Sequence, residues 1–125
     1  MISIGTIVMG ASDVRRAAEF WSRALDYVPR DGEVEDDWVV LVLVPADGAG
    51  PGLSLGLSGT PVQEHPRVHL DLYASDAAEQ AAEVTRLVSL GAERVDWDLY
   101  PDAPDFVVLA DTEGNRFCVI DTGRG

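Results

Sequence analysis

Polar and apolar residues alternate along Val68-His69-Leu70-Asp71-Leu72-Tyr73, so a strand there presents Leu70 and Leu72 on one face and His69, Asp71 and Tyr73 on the other. Ala74-Ser75-Asp76 follows, then a run in which Ala77, Ala78, Ala81, Ala82, Leu87 and Val88 recur at helical spacing. Asp76 with Glu79 predicts a capping box at the start of that helix, and Gly91 predicts its stop. The same grammar opens the chain. A strand over roughly Ile2–Met9 leads to Ser12 or Asp13 as cap, and Val14, Ala17, Ala18, Trp21, Ala24 and Leu25 stripe a helix that ends near Leu25.

The two copies also close alike. In the first, Tyr27-Val28-Pro29 predicts a short strand, Trp38 to Val44 an apolar strand buried on both faces, and Leu53 to Ser58 a strand of strict alternation. In that last strand the leucines face the helix, with Ser54, Gly56 and Ser58 opposite. In the second, Val95 to Leu99, Phe106 to Ala110 and Phe117 to Ile120 read as strands, with a tight turn at Gly114-Asn115. The chain is therefore an internal repeat of α+β type: module one about 1–59, a proline-bearing linker 60–66, and module two about 67–125.

Composition narrows the function classes. With 46% apolar residues and a mean hydropathy of +0.04, the chain suits a single globular domain of 125 residues, with no apolar run of membrane-spanning length. Acidic residues outnumber basic ones 22 to 9, and a net charge of −13 repels phosphate backbones, which argues against nucleic-acid binding. One cysteine, Cys118, leaves no intramolecular disulfide and fits a reducing compartment. Met-Ile-Ser-Ile-Gly leads straight into a strand without a basic segment, so the expected location is cytoplasmic.

The paired Ser-Asp helix starts, Phe20-Trp21 before Ala24-Leu25-Asp26-Tyr27, Leu90-Gly91-Ala92, and Asp111-Thr-Glu-Gly-Asn115 resemble the vicinal oxygen chelate superfamily. That superfamily includes glyoxalase I, bleomycin-resistance proteins and extradiol dioxygenases. The His-Leu-Asp-Leu strand and the Gly-Asn-Arg-Phe-Cys ending look most like its glyoxalase-like domain group. The resemblance implies two βαβββ modules forming an incomplete barrel around a cup, with the helices outside, and a homodimer.

In metal-dependent members a divalent ion sits on ligands from equivalent strands of both modules. Carried over through the repeat, those positions fall at Thr6, near Gly56, at His69 and at Cys118, where relatives typically carry glutamate. His69 alone matches clearly, so the expectation is no metal and no cofactor. A site of His69 and Cys118, with Asp71 in support, suits zinc in principle.

Without a metal, His69 and Asp71 form a candidate pair for proton transfer, though neighbours two apart on a strand need not meet. Otherwise His69 is a hydrogen-bonded residue of a pocket without chemistry. The expected function is binding of a small aromatic or apolar molecule in a cup formed with Thr6, Trp38, Ser54, His69, Asp71, Tyr73, Trp97, Arg116 and Cys118. The alternatives are a lyase or isomerase using His69 as acid or base, or a purely structural dimer module. Arg116 reads either as an anchor for an anionic ligand or as the partner of Asp111 or Glu113 in a rim salt bridge, and His65 as a surface residue.

Overall fold

The computed structural model describes residues 1–32 and 40–124. The chain divides into two compact units, Met1–Pro61 and Val62–Gly125, each with its own helix and its own open four-stranded mixed sheet. The fold is α+β and repeats βαβββ in both halves.

In the first unit β1 (Thr6–Ala11) leads to α1 (Val14–Leu25), then β2 (Tyr27–Pro29), β3 (Val40–Pro45) and β4 (Gly52–Leu57). The sheet order is β1-β4-β3-β2, with β1 parallel to β4 and the other pairs antiparallel. Of the two expected caps, Asp13 does the work: its backbone is extended and its carboxylate accepts from the Arg16 N–H at 3.0 Å. The helix stripe packs inward, where Trp21 is wholly buried and meets Phe20 edge to face at 5.0 Å.

Three expectations change here. β1 begins at Thr6 rather than Ile2, because its partner β4 begins at Gly52: Gly50, at φ 108°, and Pro51, which has no N–H, turn the chain off the ladder. Apolar Trp38 to Val44 is not buried on both faces in its described part, since α1 covers one face and leaves Val40 61% exposed. In β4, Leu53 and Leu55 are buried as expected, Leu57 is exposed, and Ser54 on the opposite face is buried as well.

The second unit runs β5 (Asp71–Ala74), α2 (Ala77–Ser89), β6 (Glu93–Arg94), β7 (Phe106–Ala110) and β8 (Arg116–Asp121), ending in a 3-10 turn, Thr122–Arg124. Its sheet order, β5-β8-β7-β6, repeats that of the first unit, and β5 is parallel to β8. The capping box forms: Asp76 accepts from the Glu79 N–H at 2.8 Å, and Glu79 accepts from the Ser75 N–H at 3.0 Å. Val84 and Leu87 of α2, with Leu109, Phe117 and Val119 of the sheet, make the core. The Gln80 amide ties helix to sheet by donating to the Asp105 and Val119 carbonyls.

The expected strand at Val68–Tyr73 starts only at Asp71, although the Leu70 carbonyl still accepts from the Cys118 N–H at 2.9 Å. The expected strand at Val95–Leu99 is absent; β6 sits just before it and pairs Arg94 with Leu109. One more step would set Val95 against Val108, but the Val108 N–H already donates to the Tyr100 hydroxyl at 2.7 Å. The β7–β8 turn is built by Asp111, whose Oδ1 accepts from the N–H groups of Glu113 and Asn115, both at 2.9 Å.

Candidate functional site

Strand alternation sorts the side chains of the second sheet into two faces. One packs on α2 through Leu109, Phe117 and Val119. The register places Asp71, Cys118 and Val108 in a row across the other face, and Tyr73, Ile120 and Phe106 in the next row. His69, just ahead of β5, extends the first column.

Asp71 is the hub of this face. The His69 Nε2 lies 3.0 Å from Asp71 Oδ1. The Cys118 thiol faces the same carboxylate. The imidazole nitrogen, carboxylate oxygen and sulfur all lie within 4.8 Å of one another. Burial, then the Asp71 charge and the hydrogen bond to it, push the Cys118 thiol up to about 11, so it is a protonated donor and a poor nucleophile near neutral pH. His69 and Asp71 are each roughly half exposed, with side chains 44% and 40% accessible, and a ligand can reach both.

A second cluster flanks the first. The Arg116 guanidinium lies 5.8 Å from the centre of the Trp97 ring. His65 packs on Trp97 with ring centres 5.0 Å apart, and its Nε2 lies 2.7 Å from Asp98 Oδ1. That hydrogen bond above all holds the Asp98 carboxyl below its ordinary range, with smaller contributions from the charges of His65 and Arg116. Tyr100 and Phe106 add a pair of rings 5.2 Å apart.

The structure thus brings His69, Asp71 and Cys118 together, puts Tyr73 on the same face at 76% exposure, and joins Arg116 to Trp97. The expected Arg116 salt bridge with Asp111 or Glu113 does not form; the Asp111 carboxylate is turned onto the backbone of its own loop. His65 is a surface residue, as expected, and it also packs on Trp97 and pairs with Asp98. His65 and Asp98 stand 33 positions apart, and nothing in the sequence signalled that pairing. Thr6 and Ser54 lie in the first unit, and Trp38 lies outside the described residues.

The ladder also corrects one carried-over position. Val8 precedes Asp13 as Asp71 precedes Asp76, and Val8 pairs with Ser54 where Asp71 pairs with Cys118. The first-unit counterpart of Cys118 is therefore Ser54, not Gly56.

The family model for the glyoxalase-like domain matches residues 6–120. The chain belongs to this family. Glyoxalase-like proteins are part of the vicinal oxygen chelate superfamily, and the solved structures similar to this one agree. A glyoxalase-related enzyme from Fulvimarina pelagi superposes with a TM-score of 0.68 at 17% identity, covering 98% of this chain and 89% of that one. A glyoxalase/bleomycin resistance protein/dioxygenase family enzyme from Burkholderia phytofirmans gives 0.70 at 10% identity, covering 94% and 96%. The genomically encoded fosfomycin resistance protein of Listeria monocytogenes gives 0.70 at 14%, covering 97% and 92%. At these identities the likeness is one of fold. No curated protein matches the sequence. Among the described residues of this glyoxalase-like protein, no helix is long and apolar enough to cross a membrane.

The divalent ion implied by metal-dependent relatives can be tested against the donors present. The first unit offers only hydroxyls, from Thr6 and Ser54, at the equivalent positions, and Gly56 has no side chain. The second unit offers an imidazole, a carboxylate and a thiol. Octahedral ions of the hard type favour oxygen ligands, and a thiol is a soft one. The residues do not fit that ion.

Proposed function

We propose that this glyoxalase-like protein binds a small aromatic or apolar molecule on the face of its second sheet turned away from α2. The observation that carries this reading is the make-up of that face: partly exposed Phe106 and Ile120 beside a close cluster of His69, Asp71 and Cys118. Sites for small molecules combine a mostly apolar lining with a few fixed polar groups. Asp71 fixes the imidazole of His69 and the thiol of Cys118 in one arrangement, which orients a ligand without itself being consumed. The names of the similar structures, resistance proteins among them, agree with a small-molecule ligand.

A second reading rests on one distance. At 3.0 Å from Asp71, the His69 imidazole stands beside a carboxylate, a pairing that suits it as the acid or base of a lyase or isomerase. The two readings part on His69→Ala. A binder keeps its ligand within a few-fold in affinity, whereas an enzyme of the second kind loses turnover. Thermal unfolding against a panel of aromatic compounds tests the first reading directly, because a molecule that binds only the folded chain raises its midpoint. No stabilisation by any aromatic compound would sink it.

A further inference from the structure

Arg116 carries a buried Nη1 atom with no hydrogen-bond partner among the described residues. Buried guanidinium nitrogens are expensive to leave unpaired, and each such atom calls for a partner. The nearby acids do not supply one. Asp111 spends its carboxylate on two backbone N–H groups, and Asp98 is taken by His65. Meanwhile the guanidinium is laid over the Trp97 ring, which leaves the edge N–H groups of its fork to bind something else.

We propose that Arg116, seated on Trp97, anchors the carboxylate of a planar aromatic acid, an inference that rests on the small-molecule reading above and names its ligand class. A guanidinium fork matches a carboxylate in plane and in charge. The indole suits a flat body at the anchor, and the Tyr100–Phe106 ring pair lies farther along the same face, where Phe106 pairs with Ile120. A single negative charge is all the site accepts: Asp71 and Asp98 stand near, and the chain carries a net charge of −13, so a phosphate dianion is repelled. Register places Arg116 two residues before Cys118 on the same face of β8, so the acid group docks at one end and the ring extends along that face toward Ile120 and Phe106.

The test compares benzoate, benzamide and cyclohexanecarboxylate on the whole protein by titration calorimetry, with wild type and Arg116→Met, which keeps the apolar stem. Wild type is expected to bind benzoate about ten-fold or more tighter than benzamide, a neutral body of the same shape. It is expected to prefer benzoate over the puckered cyclohexane acid as well. In Arg116→Met, benzoate should fall to the level of benzamide while benzamide stays as it was. Equal binding of benzoate and benzamide by wild type, a comparison that needs no variant, overturns the anchor and leaves the small-molecule reading standing. No binding of any of the three overturns the anchor, and the panel of aromatic compounds above decides the small-molecule reading separately.

Discussion

Replacing Asp71 with Asn should make Cys118 titrate lower and react faster, by an amount the structure sets. Burial first, and Asp71 second, raise the thiol from 9.0 to about 11. At pH 8 a thiol at 9.0 is about one-tenth ionised and one at about 11 about one-thousandth, so the native thiolate population is roughly a hundred-fold down. A more basic thiolate is a better nucleophile, with a Brønsted coefficient of about 0.4–0.5, which returns roughly six- to ten-fold. The native protein should therefore react with an aromatic disulfide reagent about ten-fold more slowly than an unperturbed cysteine of equal access. Burial stays in Asp71→Asn while the charge goes. The thiol then falls from about 11 toward 9.0 without reaching it, and the reaction at pH 8 becomes faster by less than the roughly ten-fold of a full return. The assay is the pH–rate profile of the thiol, whose midpoint does not depend on access, and it should fall. A midpoint that stays or rises would show that Asp71 does not face the sulfur, and the hub assigned to this face would be wrong. Stability carries the same signature. Because folding raises this pKa, the protonated thiol contributes fully below pH 9.0 and that contribution is lost as pH rises through about 11. Asp71→Asn should bring the upper end of that window down.

Other outcomes follow from the same geometry. Asp111→Ala strips two backbone N–H groups of their acceptor at a residue 4% exposed and should cost about 2–3 kcal/mol in urea unfolding. Trp21→Ala, at a wholly buried position in the first unit, should cost about 3–5 kcal/mol by the same measurement. Tyr100→Phe removes the acceptor of the Val108 N–H and should speed hydrogen exchange at that amide; an unchanged rate would mean the hydroxyl does not hold it. Chelator, magnesium, manganese and nickel should leave the unfolding midpoint unchanged, and a clear ion-specific rise would overturn the metal-free reading of the donor positions.

Where local chemistry decides, the sequence was enough. Asp13 and Asp76 cap their helices through contacts spanning three residues, and the helical stripe of module one converges on Trp21 as its spacing requires. Strand ends were harder, because a strand stops where its partner stops. Nothing in Ile2–Gly5 says that Gly50 and Pro51, far along the chain, end the ladder. Likewise Val95–Leu99 has a good strand pattern, and only the Tyr100 hydroxyl, reaching back to Val108, explains why no strand forms there.

The site follows the same division. Which residues share a face was readable from alternation, but whether they touch was not. Two residues on a strand rise about 6.6 Å, too far for side chains held perpendicular to the sheet to bond. His69 escapes that limit because β5 begins only at Asp71; outside the ladder, its imidazole is free to lean onto the carboxylate at 3.0 Å. The repeat then shows where chemistry went. By the repeat, His69, Asp71 and Cys118 of the second unit correspond to Thr6, Val8 and Ser54 of the first, so one copy holds three titratable groups where the other holds two hydroxyls and an alkyl chain. Two copies of one scaffold need the same core but not the same open face. The helix-packed positions stay apolar in both, Leu53 and Leu55 in one and Phe117 and Val119 in the other, while proton-binding groups collect where Asp71 can organise them.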